Sequence, residues 1–210
     1  MASLLEGPAA RFVRKMGLFK TPFETARANL REWLEQTKGR QGYAVSEQPV
    51  SGNLEEVLQS LLPLALADIE RRLLIATDGP WTAYLDNLES GTDRSAVAAL
   101  SRRIHCDAVH FAAESQSVVL TVYGPERNST GGNIIRDIRA FRDMGGWEFQ
   151  ESGTPLPFED TSAYRSARAK ERFTIEMLER YLREMGIRAF DEDFYRPSVA
   201  CLLATRRNAP

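Results

Sequence analysis

Apolar residues recur along this chain at two spacings, and the change from one to the other divides it into helical and strand-like stretches. Thr21-Pro22-Phe23-Glu24 offers a capping residue, a proline at the first helical position and a glutamate placed to reach back. Leu30, Trp33 and Leu34 follow at helical spacing, which predicts a helix over 22–37 ending near Gly39. Residues 42–50 read as a short strand around Tyr43, Val45 and Val50. Asn53 then caps a second helix through Val57, Leu58, Leu61 and Leu62, which Pro63 kinks or breaks. Upstream, Phe12–Lys20 is basic and amphipathic and reads as a docked or frayed terminal helix.

The middle of the chain alternates with a period of two. Leu73, Ile75 and Thr77 interleave with Arg72, Leu74 and Ala76, and Asp78-Gly79-Pro80 turns the chain into a second strand from Trp81 to Asp86. After the loop at Asn87, Gly91 and Thr92, a helix capped by Thr92 or Asp93 carries Val97, Leu100 and Ile104 on one face. Strands over 107–113 and 117–124 follow, joined by a hairpin-length link. The segment 134–142 fits either period; it is read as a strand paired through Asp143-Met144-Gly145-Gly146 with Trp147-Glu148-Phe149. A short helix follows Asp160, and a longer one begins at Thr174, carries Ile175, Leu178, Leu182 and Met185, and stops at Gly186. The last strand centres on Val199 to Leu203. This order predicts an α+β fold: a mainly antiparallel sheet with helices packed on one face. The division expected is an N-terminal helical segment, 1–69, packed on a main α+β domain, 70–210.

Alternation also sorts the side chains of the central strands. Trp81, Ala83, Leu85, Val109, Phe111, Val118, Leu120 and Val122 share a core face. The opposite face carries Thr82, Tyr84, Asp86, His110, Thr121 and Tyr123. Either that face is a solvated, polar-aromatic binding surface or terminal helices cover it.

Composition narrows the class of partner. The chain of 210 residues is 43% apolar and 27% charged, in the range of soluble globular proteins. Its 27 basic and 29 acidic residues leave a net charge of −2, against a dedicated nucleic-acid binder. No apolar stretch reaches the ~20 residues a bilayer span needs, and the short apolar pair Leu4–Leu5 does not form a signal peptide. Cys106 and Cys201 fit no metal-ligand spacing and pack as small hydrophobes, so a reducing, cytoplasmic setting is expected.

Candidate chemistry concentrates between Thr77 and Asp93, where Asp78, Asp86 and Asp93 lie among Trp81, Tyr84 and Asn87. Three carboxylates can hold a hard cation or supply an acid and a base, but the spacing fits no calcium loop, and turns and caps use the same residues. His105 and His110 have no nucleophile or orienting partner marked in the sequence. Ser129-Thr130-Gly131-Gly132-Asn133 is a small polar loop whose amides can approach a phosphate. Arg136, Arg139 and Arg142, with Arg165, Arg168, Lys170 and Arg172, can meet an anion, although Glu159, Asp160 and Glu171 favour a self-paired, solvated face. No cofactor motif and no metal site is expected.

The run Asp78-Gly79-Pro80-Trp81-Thr82-Ala83-Tyr84, with Gly91-Thr92-Asp93 and Gly145-Gly146-Trp147-Glu148-Phe149, resembles a group of uncharacterised bacterial proteins from about residue 70 to the end. The resemblance implies a bacterial, cytoplasmic setting and assigns no activity, ligand or residue role. The reading that follows is a non-catalytic module that binds another protein, immunity-like in one version, through Trp81, Tyr84, Asp86, Asn87, His110 and Tyr123. In it Trp81 anchors the core and Tyr84 faces the partner. The alternative is an enzyme or small-ligand binder with an Asp/His/Tyr site near 77–93. A closed pocket favours the alternative, and a flat exposed face favours the first.

Overall fold

Residues 10–65, 69–128 and 131–207 are described in the computed structural model. Leu4–Leu5 and the Ser129-Thr130 part of the polar loop lie outside them. The strands are β1 (Lys15–Phe19), β2 (Tyr43–Gln48), β3 (Ile69–Thr77), β4 (Thr82–Asp86), β5 (Ala108–Glu114), β6 (Ser117–Tyr123), β7 (Ile134–Asp143), β8 (Gly146–Gly153) and β9 (Tyr195–Arg206). The helices are α1 (Ala10–Val13), α2 (Phe23–Thr37), α3 (Leu54–Gln59), α4 (Arg94–Ile104), α5 (Ala169–Arg172) and α6 (Ile175–Glu184). The strands form one sheet in the order β2-β9-β3-β4-β1-β5-β6-β7-β8, every neighbouring pair antiparallel. The fold is α+β, and the segment 134–142 is a strand.

Local signals account for most of these elements. Asn53 caps α3 with a full capping box, its side chain taking the Glu56 N–H while Glu56 takes that of Asn53. Asp93 caps α4 through the Ser95 N–H, and Thr174 caps α6 through that of Met177. α3 ends at Gln59, short of the expected run to Leu62.

The largest departure is β1, expected as part of a terminal helix. It is the central strand, bonded to β4 on one side and β5 on the other. Beyond half-buried Lys15, residues 16–19 are buried on both faces, so the strand shows no alternation of apolar and polar positions. Gly17 is required there: a Cβ would lie 2.5 Å from Val97 Cγ2 on α4. The stretch before residue 69, expected as a helical segment, contributes β1 and β2 to the same sheet as the strands of 70–210.

Helices lie on both faces of the sheet, not one. On the first face α3, α6, Phe173 and Phe194 pack on Met16, Leu18, Leu73, Leu85, Val109, Phe111, Leu120 and Ile138. On the second, α2 and α4 bury Leu30, Leu34, Val97 and Leu100 against Leu74, Tyr84, Ala108, Tyr123 and Leu202. Leu100 is fully buried, in keeping with its place on the α4 core stripe. Beyond β5 on this second face α4 gives way to half-buried Ser117, Val119, Arg139 and Phe141. No helix among the described residues is long and apolar enough to cross a membrane.

Candidate functional site

Coverage of the second face decides the fate of the expected surface. Trp81 is buried in the core with Ala83 and Leu85, its indole N–H donating to the Met185 carbonyl at 3.1 Å. Tyr84, expected to face a partner, is 0% exposed. It lies beneath α4, 5.7 Å from the Phe19 ring, and burial raises its phenol pKa. Asp86, Asn87, His110 and Tyr123 are buried as well. The Trp81 hairpin therefore presents none of these groups as an exposed contact surface. The three aspartates do not form one cluster: Asp78 stands apart, paired with Arg188 and Arg196, while Asp86 accepts the N–H of Asp93, which caps α4.

Several of these residues instead organise the loop that enters α4. Asp86 accepts the N–H of Leu88 at 3.1 Å with one carboxylate oxygen and that of Asp93 at 2.8 Å with the other, clamping both ends of the loop. Burial raises the Asp86 pKa; opposing this, Arg72 and the two N–H donors favour the carboxylate. The Asn87 side chain accepts the Arg71 N–H and donates to the Pro63 carbonyl. Thr92 donates its hydroxyl to the Lys15 carbonyl, and Lys15 Nζ donates to the Ser90 carbonyl. Gly91, at φ 79°, lets the loop lie on the Lys15 stem, where a Cβ would come within 2.7 Å.

The clamped loop walls one side of a cavity of about 250 Å³. Strand register builds the floor: Lys15 of β1, Ala112 of β5, Val119 of β6 and Arg139 of β7 stand in one row across the second face. Ala112 makes the depression, having little side chain to fill it. In the adjacent row His110, Thr121 and Asp137 lie side by side. Leu88, Ser90, Thr92, Asp93 and Arg94 close the back, and exposed Glu114 with Ser117 forms the rim.

His110 is the least satisfied group in the cavity wall. It is 2% exposed, and its Nε2 lies 3.2 Å from the Thr92 carbonyl. A carbonyl only accepts, so Nε2 carries the proton and Nδ1 presents a lone pair. Among the described residues Nδ1 has no hydrogen-bond partner. Burial lowers the ring pKa to about 4, so the imidazole is neutral at pH 7. Across the floor, Asp137 takes Thr121 Oγ1 at 2.6 Å, Arg94 at 3.1 Å and Arg139 at 2.6 Å. Arg94 also donates to the Tyr123 hydroxyl at 3.1 Å, and Arg139 Nε is buried without a partner among the described residues. Of the six expected site residues, His110 lines the cavity, while Tyr123 and Asp86 act behind it. Lys15, Arg94 and Val119 were not anticipated; Arg139 was, as one of an arginine set.

A second cavity of about 170 Å³, between the start of α3 and Tyr195–Val199, has among the described residues no buried side chain left without a partner in its wall. Cys106 and Cys201 are buried free thiols, and no cluster of His, Cys, Asp or Glu among the described residues is arranged to hold a metal. No family model, no curated protein and no solved structure matches this chain.

Proposed function

We propose that this chain is a binding protein for a small polar molecule, taken up in the His110 cleft. The observation that carries the reading is a buried histidine with a free lone pair in the wall of a cavity. An unsatisfied buried polar atom costs about 1–3 kcal/mol, and a bound ligand that donates to it recovers that cost. Ligand sites are concavities in which a few polar groups converge, and this cleft sets Lys15, Arg94, His110 and Arg139 around a floor and back that include Leu88, Ala112 and Val119. A binding rather than catalytic role is favoured because, among the described residues, no hydroxyl or thiol hydrogen-bonds to His110. The surface on which a protein partner was expected is occupied by α2 and α4, which moves the reading to a small ligand.

The test fills the cleft without touching its polar groups. Val119 is half-buried on the floor, so Val119→Trp should occupy the cavity and leave the fold intact. The unmodified chain and the variant are each equilibrated with a cell metabolite extract, and the retained compounds are identified by mass spectrometry. The reading expects compounds held by the unmodified chain and lost from a folded variant. Identical retention by both, with matching circular dichroism, would remove the cleft as the site.

A further inference from the structure

From the charges around the cleft we infer that its ligand is a small organic anion, carrying a carboxylate or phosphate together with a hydroxyl or N–H that donates to His110. This rests on the cleft being the binding site, and adds the class of molecule it takes.

Three cations line the cavity: Lys15, Arg94 and Arg139. Arg94 and Arg139 share a single carboxylate, Asp137, so together they keep one positive charge uncompensated. Lys15 donates to the neutral carbonyl of Ser90 and pairs with no carboxylate among the described residues. Two acids also line the wall. Asp93 is turned to its own helix, bonding the Ser95 N–H and hydroxyl at 2.8 Å, where the helix end offsets its charge. Glu114 stands exposed at the end of β5, where water screens it. The interior of the cleft is thus positive through Lys15 and the Arg94–Arg139 pair, the start of α4 being already matched by Asp93.

The unpartnered atoms give the ligand its second feature. Arg139 Nε offers a donor and His110 Nδ1 an acceptor, both buried and both unmet. A bare carboxylate satisfies the first and leaves the second, whereas a phosphate with a P–O–H can reach both; a neutral polyol can meet both but gains nothing from Lys15 or the guanidinium pair. A 2-hydroxy carboxylate or a phosphate ester with a neighbouring hydroxyl meets every requirement. Since ligand pockets for drug-sized molecules run to ~300–1,000 Å³, a cavity of about 250 Å³ suits a molecule of metabolite size.

The chain has two histidines, which makes the test direct. His105 lies at the opposite end of α4, exposed and paired with Glu126, and serves as the internal control. Protein labelled with nitrogen-15 in its histidine rings is titrated at constant ionic strength with glycolate, acetate, inorganic phosphate and ethylene glycol. The inference expects a saturable shift of the His110 Nδ1 signal with glycolate, no such shift with ethylene glycol, and an unmoved His105. Acetate and inorganic phosphate should each displace glycolate, since they engage the same cations, and glycolate binding that neither displaces would overturn the anionic class. Arg139→Gln should weaken glycolate by about tenfold or more, the worth of one charge-assisted hydrogen bond. Silence at His110 with every anion would overturn the inference. If ethylene glycol alone shifts it, or if neutral metabolites are retained by the unmodified chain and lost from Val119→Trp, the cleft stands and the ligand class falls. Silence from all four probes together with identical retention by the two proteins removes both.

Discussion

Arg136 and Arg139 stand three residues apart on β7 and point to opposite faces of the same sheet. Arg136 is fully buried and spends all five of its N–H donors. Its Nε and one terminal nitrogen donate to Glu159 at 2.9 and 2.7 Å, the same nitrogen donates to Glu151, and the other donates to the carbonyls of Ser152 and Gly153 at 3.1 Å. Burial opposes its charge, but the two glutamates outweigh that and raise its pKa. Arg139 is about a third exposed, makes one ion pair and leaves a buried Nε unmet. Identical chemistry on one strand thus gives a closed structural network on one side and an unfinished site on the other. What separates them is saturation: a network with no donor left over has nothing to offer a ligand.

The strongest way to break this comparison is to remove Arg136. Glu159 has no exposed side-chain surface, so Arg136→Ala strands a buried carboxylate and should cost about 3–5 kcal/mol. For a chain of this size that lowers Tm by roughly 10 °C. Arg136→Met with Glu159→Leu removes both charges and should recover most of the loss, as read by urea denaturation. A single variant that unfolds no more easily than the parent would mean the Arg136 network is as dispensable as a surface pair.

The next effect comes from His110 and acid. Its folded pKa is about 4 against an ordinary 6.5, so between those values the unfolded chain holds more protons than the native one. Stability is then complete above about pH 6.5 and falls as pH drops toward 4, by about 3 kcal/mol in all. Asp86 acts in the opposite sense, since its pKa is raised and protonation relieves a buried charge. The measurement is therefore the difference in unfolding free energy between the unmodified chain and His110→Gln, which keeps an N–H for Thr92. Lys15, Arg94 and Asp93 bear on the ring in both proteins alike, because none of them is changed. A difference that stays flat from pH 7 to 4 would show that the ring is hydrated and its lone pair already met.

Much of this was legible before the structure. Reading 134–142 as a strand already places Arg136 and Arg139 on opposite faces, since side chains alternate. The identity of each partner was not legible. Glu159 lies 23 residues from Arg136, beyond any local rule, and the sequence places it on a self-paired, solvated face; it is paired, but its side chain is buried. The face carrying Tyr84 and His110 was correctly sorted, but periodicity cannot say which helix covers a face. α2 and α4 do so, turning an expected contact surface into core and leaving only its His110 end beside open space. β1 was missed because a short strand buried on both sides, with glycine at its centre, shows neither period. With it went Lys15, read as part of a basic helix when it forms one end of the cleft floor.

The smallest effect is the most discriminating, because it sets the two arginines against each other directly. Arg139→Gln should change stability by no more than about 1 kcal/mol, the range of exposed ion pairs. Its side chain is partly solvated, and Asp137 keeps the bonds from Thr121 and Arg94 when it goes, so no buried charge is stranded. Burial of Nε without a partner is a further reason: an atom already unsatisfied contributes no bond to lose. The same substitution that barely moves the urea midpoint should weaken anion binding in the cleft, whereas Arg136→Met with Glu159→Leu should leave that binding unchanged. If Arg139→Gln destabilises the chain as much as Arg136→Ala, its role is structural like that of Arg136, and saturation of donors does not tell a site from a scaffold in this protein.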